Sequence, residues 1–359
     1  MNTLVWIGFC QSLFAAILLF SKRNRSVSDS ILTGWLLLLS IDFISCALNY
    51  EIFKRPMLTS SFLLFNPALY LYIKSLTNHS FKIRWIQLLH LLPFIFFETY
   101  MYIIKQPFSL DTFFLRDNNL IFRLFLGSAT IISWIIYNSL SLILVHKHRM
   151  HLRNELSNIE KNENLGWVLS IAIFYVVYCL LAFLITVIAF YAKLNPIIPH
   201  IYNYIALLIL IYCMSFYGLR QKAVAQLILI NEPLSLPYKN SNLSIETKEK
   251  IKQKIINYFE KEKAYLNPEL SMTVVSESLK IPKYQITEVL NIEIGKSFYQ
   301  FVNQYRVEAV KTMLSDPENK YSIEAIGYDC GFSSKSSFYT VFKNMTDQTP
   351  VAYRHSFIC

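Results

Sequence analysis

The chain has 359 residues, 54% of them hydrophobic and only 16% charged, against about 25% charged in soluble globular proteins. Its 8 Gly and 12 Pro are too few for a collagen-like or low-complexity chain, and its 27 Phe and 23 Tyr exclude disorder as the main state. The net charge of +10 is uneven: residues 1–219 hold 16 Lys/Arg and 9 Asp/Glu, a net of +7, which leaves +3 for the remainder. Positive charge in the more apolar part must sit in its loops, and this points to a membrane before it points to nucleic acid.

Seven runs are long and apolar enough to cross a bilayer, roughly 4–21, 31–49, 57–77, 85–104, 123–145, 165–192 and 200–219. Residues 1–3 carry no Lys or Arg, so the first run lacks the basic region of a signal peptide and reads as a retained anchor. With the amino terminus outside, the inner loops collect twelve Lys/Arg and the outer loops six, which favours that orientation and delivers the carboxyl-terminal part to the cytoplasm. The six cysteines form no CxxC pair and no cluster with histidine, and four of them lie inside apolar runs; neither a disulfide scaffold nor a metal site is expected.

No loop between runs exceeds about 20 residues, so a signal must be received within or between the helices. Asp42 and His90 are the leading candidates for that intramembrane site, because ionisable groups in spans are costly and by default suggest function. Asn66, Glu98, Gln11 and Asn138 are weaker ones, since Asn and Gln also serve as interhelical hydrogen-bond glue.

After Gly218 helical spacing persists to about residue 230. Pro233, Pro237, Asn240 and Asn242 then mark a linker. From Ser244 the pattern changes to short amphipathic helices. Ser244 caps a helix with Ile251, Ile255, Ile256 and Phe259 on one face. Two units of one design follow. In the first, Met272 to Leu279 precedes a helix from Lys283 to about Ile292, stopped by Gly295. Ser297 and Gln300 make a capping box for a long helix to Leu314, with Phe298, Phe301, Val302, Tyr305, Ala309, Val310 and Met313 inward. In the second, Ser322 caps Ile323 to Cys330, Ser333 caps a helix anchored by Phe338 and Phe342, and Thr349 and Pro350 close the unit. Two helix-turn-helix units on a linking helix about 27 Å long suit two successive grooves of a duplex, whose turn is about 34 Å.

At these residues the sequence resembles the AraC/XylS family of bacterial transcription regulators. The stretch SIEAIGYDCGFSSKSSFYTVFKNMTDQTPVAYR (322–354) follows the family pattern, and SFYQFVNQYRVEAVKTML matches its linking helix. Apolar spans ahead of such a domain, with NPALYLYIKSL in the third, look like the membrane-bound branch of the family. Gly327 replaces the family's usual Ala, Asp347 stands where Gly is usual, and Pro282 with Lys283 replaces a frequent Ser then Pro. The resemblance implies base-reading roles for Tyr284, Thr287 and Glu288 in the first unit and Lys335, Ser336, Tyr339 and Thr340 in the second. Lys296, Arg306, Lys343 and Arg354 are candidate phosphate contacts, with Arg306 equally able to brace the linking helix.

The expected fold is all-α: a polytopic helical membrane bundle of about seven spans, then an all-α double helix-turn-helix domain. The expected domains are 1–219 as a transmembrane sensor, 220–246 as juxtamembrane helix and linker, and 247–359 as the DNA-binding domain. The expected function is a non-enzymatic regulator anchored in the bacterial inner membrane, with double-stranded DNA, the lipid bilayer, a small-molecule or membrane signal, a second copy of the chain and RNA polymerase as candidate partners and no cofactor. The alternatives are a membrane enzyme or transporter with a regulatory DNA-binding tail, and an adaptor whose helix-turn-helix units bind protein.

Overall fold

The computed structural model describes residues 2–48, 60–78, 81–104, 117–159, 165–192, 197–221 and 243–358. The fold is all-α: among the described residues there is no strand, only an isolated antiparallel bridge between Leu156 and Ser271. Two compact units form. One comprises Met1–His146 and Leu165–Leu227, the other Lys147–Asn164 and Ile228–Cys359.

The first unit contains α1 (Asn2–Phe20), α2 (Val27–Leu48), α3 (Phe62–Thr77), α4 (Leu92–Ile104, entered through a 3-10 turn Trp85–Leu91), α5 (Leu120–Glu155, to His146), α6 (Gly166–Tyr191) and α7 (Ile197–Arg220). The α1–α2 connection is tight because it satisfies itself. Asp29 accepts from the backbone of Ser26 at 2.9 Å, Ser26 Oγ accepts from the backbone of Asp29 at 3.1 Å, and Lys22 pairs with Asp29 at 2.9 Å. This reciprocal pair supplies partners for orphan donors at the start of α2. Leu19, Leu36, Phe43, Ile73, Tyr175 and Ile211 are buried in the core. Ile131, Ile135, Leu180, Leu184 and Phe216 are exposed instead, an outer surface of aliphatic and aromatic side chains.

Among the described residues, six stretches are helical, long and apolar enough to cross a membrane: Asn2–Phe20, Val27–Leu48, Trp85–Ile104, Leu120–Glu155, Gly166–Ile188 and Ile201–Arg220. The third predicted run is the short one. Its described helix, α3, has 16 residues with Pro67 inside, about 24 Å at 1.5 Å per residue against a hydrocarbon core of about 30 Å, and residues 57–59 lie outside the described residues. Of the predicted juxtamembrane helix and linker, residues 222–242 lie outside the described residues.

The second unit contains the end of α5 with residues 156–159, then α8 (Ile245–Lys261), α9 (Met272–Leu279), α10 (Lys283–Glu288, continued by a wider turn Val289–Ile294), α11 (Phe298–Leu314), α12 (Ile323–Asp329), α13 (Lys335–Thr346) and α14 (Pro350–Ile358). The local signals act as read. Ser244, Ser297 and Ser322 accept from backbone amides three residues on, and Gln300 returns the bond to Ser297; Ser271, which the sequence reading did not single out, caps α9 in the same way. Pro282 provides no side-chain cap for α10. Two local readings change: Ser334, not Ser333, caps α13, and Pro350 opens α14 rather than closing the unit. Proline is suited to a first helical position, where its missing N–H would be an orphan anyway.

The linking helix α11 serves two cores. Phe298, Phe301 and Val302 join Ile255, Phe259, Met272, Ile286 and Leu290 under the first helix-turn-helix. Val307, Val310 and Leu314 join Ile326, Phe332, Phe338 and Phe342 under the second. Between these cores Asn303 and Arg306 are also buried, so α11 is enclosed on more sides than a single apolar stripe predicts. Gly327 reflects packing rather than propensity alone: a Cβ there would lie 2.6 Å from the ring of buried Phe338.

Candidate nucleic-acid interface

Each helix-turn-helix presents the start of its second helix. In the second unit α12 ends at Asp329, the chain turns through Gly331, and Ser334 caps α13 by accepting from the backbone of Ser337 at 3.2 Å. Phe338, Val341 and Phe342 bury one face of α13. The opposite face exposes Lys335, Ser336 and Thr340 and half-exposes Tyr339. Four of the predicted reading residues thus share one helix face, and three carry hydroxyls.

Lys335 is already engaged. Its ammonium lies 2.6 Å from Glu324 of α12 and 5.5 Å from the ring centre of Tyr339. The hydrogen bond to Glu324 holds the Lys335 ammonium above its ordinary range, and the same bond holds the Glu324 carboxyl below its own. The pair is solvent-exposed, so it orients Lys335 while leaving it exchangeable for another anion.

The first unit divides its predicted residues. Tyr284 is exposed at the start of α10, and Thr287 is half-buried with its hydroxyl donating to the Lys283 carbonyl at 2.9 Å. Glu288 departs from the expected base-reading role: it is 3% exposed and its carboxylate lies 3.0 Å from Lys248 of α8. A buried carboxylate requires a partner, and the basic face of α8 provides it.

The candidate phosphate contacts also separate. Lys343 is exposed near the end of α13. Lys296 donates to Gln304. Arg354 donates to the carbonyls of Tyr321, at 2.8 Å, and Asn319, strapping α14 to the turn before α12. Arg306 is fully buried, which rules out a phosphate contact in this conformation and makes it the internal brace.

Arg306 sits at a junction that local sequence patterns do not reveal. Its Nε donates to Tyr265 O at 2.8 Å, Nη1 to Ser157 O at 3.1 Å, and Nη2 to Ser157 Oγ at 3.0 Å and Asn267 O at 2.9 Å. Burial pulls its guanidinium down to about 10, and the four oxygens compensate the lost hydration. Ser157 Oγ is 2.5 Å from Leu270 O, and Asn158 Nδ2 donates to Pro268 O at 2.7 Å and Gly331 O at 3.0 Å. Gly331 has φ +90°, and a Cβ there would lie 2.4 Å from the Tyr265 carbonyl. Local spacing does not point to Ser157 and Asn158, because Arg306 is 149 residues beyond Ser157.

In the first unit, the two candidate signal residues have separate partners. Asp42 accepts from Ser61 at 2.5 Å, whereas Glu98 accepts from the backbone of Ser60 at 3.0 Å and from its hydroxyl. His90 Nδ1 lies 2.6 Å from the Tyr137 hydroxyl, with Tyr70 against both rings. Asn66 donates to Ser133 at 3.0 Å, but its Oδ1 is buried and without a hydrogen-bond partner. Among the described residues no group of three His, Cys, Asp or Glu is arranged to hold a metal ion.

Residues 275–356 match the family model described as a helix-turn-helix domain. Over 115 residues the chain is 31% identical to proteins of Staphylococcus aureus strains COL, MSSA476 and N315, each named an uncharacterized HTH-type transcriptional regulator. The shared stretch is 32% of this chain and only 15% of each of those relatives. No solved structure matches the chain. With its two helix-turn-helix units around one linking helix, the carboxyl-terminal part of this protein is an AraC-type helix-turn-helix domain.

Proposed function

We propose that this protein is a membrane-anchored, sequence-specific DNA-binding transcription regulator whose apolar unit receives a small or lipophilic signal. The observation that carries the reading is the presence in one chain of the helix-turn-helix domain at 275–356 and, among the described residues, six helices long and apolar enough to cross a bilayer. Exposed aliphatic side chains on α5, α6 and α7 suit lipid rather than water. The charge asymmetry of the loops supports a cytoplasmic DNA-binding domain.

Reading of bases falls to Lys335, Ser336, Tyr339 and Thr340 on α13 and to Tyr284 and Thr287 on α10. Lys donates to guanine, and hydroxyls serve as donors or acceptors at several base edges. Lys343 supplies phosphate attraction. Residues 247–359 hold 15 Lys/Arg against 13 Asp/Glu, so phosphate neutralisation by one copy is modest, and a second copy in the same membrane raises effective concentration. Asp42, with Ser61, and His90, with Tyr137, are the candidate points of signal reception. RNA polymerase is the partner through which promoter binding would change transcription.

The test is selection of bound duplexes from a random library by the full chain in phospholipid nanodiscs. A defined motif is expected, with binding reduced at least tenfold by Lys335→Ala with Tyr339→Ala. Retention of the motif at full affinity in that variant would remove α13 from the reading role. A reporter fused after residue 359 is expected to report the cytoplasmic side; an exterior signal would end the proposal.

A further inference from the structure

The end of α5 does something a tether between domains does not require. Residues Lys147–Asn164 group with the carboxyl-terminal unit although more than 80 residues separate them from α8 in the chain. The contacts lie at the junction of the two helix-turn-helix units rather than on either one alone. Glu155 pairs at 3.6 Å with Lys283, the first residue of α10. Leu156 bridges to Ser271, the cap of α9, and Ser157 Oγ lies 2.5 Å from the Leu270 carbonyl. The Ser157 carbonyl accepts from Asn303 at 3.2 Å and Arg306 at 3.1 Å, both on the linking helix between the two cores. Asn158 then spans the gap: one amide nitrogen donates to Pro268 O ahead of the first unit and to Gly331 O in the turn of the second.

We propose that Glu155–Asn158 is a wedge that fixes the relative orientation of the two helix-turn-helix units, and so the spacing of DNA segments they can read together. The physical argument is one of connection. The two helix-turn-helix units share α11 with its two separate apolar clusters and, among the described residues, meet where the Gly331 turn lies against the Tyr265 and Leu266 carbonyls; a single helix with two cores bends or twists between them at low cost unless further contacts span the joint. The wedge adds hydrogen bonds to both sides of that joint and to its middle. Because Glu155 is the last residue of α5 and Leu156–Asn158 follow it directly, and because this 36-residue helix belongs to the first compact unit as far as His146, rotation or withdrawal of α5 would act on both reading helices together. This inference rests on the DNA-binding reading for its functional meaning, but its mechanical part is measurable without DNA.

The experiment uses the full chain in phospholipid nanodiscs, with spin labels carried by non-natural amino acids at exposed Glu277 of α9 and Asn344 of α13. The unsubstituted protein is expected to give one narrow distance distribution. Ser157→Ala with Asn158→Ala is expected to at least double its width while circular dichroism retains the helical signal. If that double variant loses helicity, Asn158→Ala alone is read by the same criterion, since it removes only the amide that joins Pro268 to Gly331. A superimposable distribution would overturn the wedge. Inserting one alanine between Lys147 and His148 rotates the wedge by about 100° against the upstream helix; a shifted distribution is expected, and no shift would remove α5 as its control. On a selected duplex lengthened by two base pairs between the two read segments, the unsubstituted protein is expected to lose at least tenfold in affinity and the wedge variant less than threefold. Equal losses would deny the wedge a role in spacing. If the unsubstituted protein selects no duplex at all, the DNA-reading proposal fails and the spin-label result still decides the wedge.

Discussion

Lys335, the first residue of α13 and the proposed guanine donor, is held 2.6 Å from Glu324 of α12, so this cation is already paired within the domain. The pair is surface-exposed, and a duplex must compete with it.

Glu324→Gln is expected to raise duplex affinity about two- to fivefold, the scale of an exposed ion pair, with Lys335 still required. Filter binding at fixed salt measures it; weaker binding would show that Glu324 orients Lys335 more than it detains it. The pH sign follows from the shifts. Glu324 is depressed, so the pair's stabilisation is present above the ordinary glutamate range and lost as pH falls through that carboxyl's own value; Lys335 is raised, so the stabilisation persists into alkaline solution and is lost only above the ordinary lysine range. Between about pH 6 and 9 this pair is expected to contribute no slope to the melting temperature.

Glu288→Gln is expected to act on stability and not on base choice. The side chain is buried against Lys248, and loss of one partner of a partly buried pair costs about 1–2 kcal/mol when the other partner retains access to water. Urea unfolding of the second unit's signal checks the cost. A selected DNA motif altered at one base, with stability unchanged, would return Glu288 to the reading set.

Arg306→Ala is expected to cost about 3–5 kcal/mol, because it empties the buried site of the guanidinium while the carbonyls of Tyr265 and Asn267 lose that donor and the Ser157 carbonyl keeps only Asn303. Arg306→Lys is expected to recover less than half, since one ammonium cannot reproduce the planar fork. The same measurement distinguishes this brace from a phosphate contact, which would instead lower the salt dependence of binding by about one ion.

Gly331 and Gly295 both have positive φ, at +90° and +71°, but only Gly331 is crowded: a Cβ there meets two backbone carbonyls, whereas at Gly295 nothing lies within 4 Å. Gly331→Ala is expected to cost at least about 2 kcal/mol and Gly295→Ala about 1 kcal/mol. Equal thermal shifts would mean that backbone conformation, not the close approach of the Tyr265 carbonyl, sets the requirement.

Much of the carboxyl-terminal domain was legible because its signals act over one helical turn. Ser244, Ser297 with Gln300, and Ser322 bond to amides three residues away, so residue type and spacing suffice. Asp347, which stands where Gly is usual, adopts φ 58° at the end of α13, a left-handed conformation that Asp tolerates better than most residues. The helical character of six of the seven apolar runs was legible too, because their length and apolar composition stand in the residue order itself. Shifts such as Ser334 for Ser333 arise where adjacent serines offer equivalent caps and packing of Phe338 chooses between them.

What the amino-acid order determined alone was helix content, helix ends, the apolar character of the first 219 residues and the likeness of 322–354 to a DNA-reading unit. Tertiary structure decided which polar groups are available. It turned Glu288 toward Lys248, enclosed Arg306 among carbonyls, joined Ser60 to Glu98 and Ser61 to Asp42, and brought Ser157 to a helix 149 residues away. A capping bond is written in neighbouring residues, but a buried charge or a joint between two cores is satisfied by whichever distant oxygen the fold delivers, and no spacing in the chain encodes that choice.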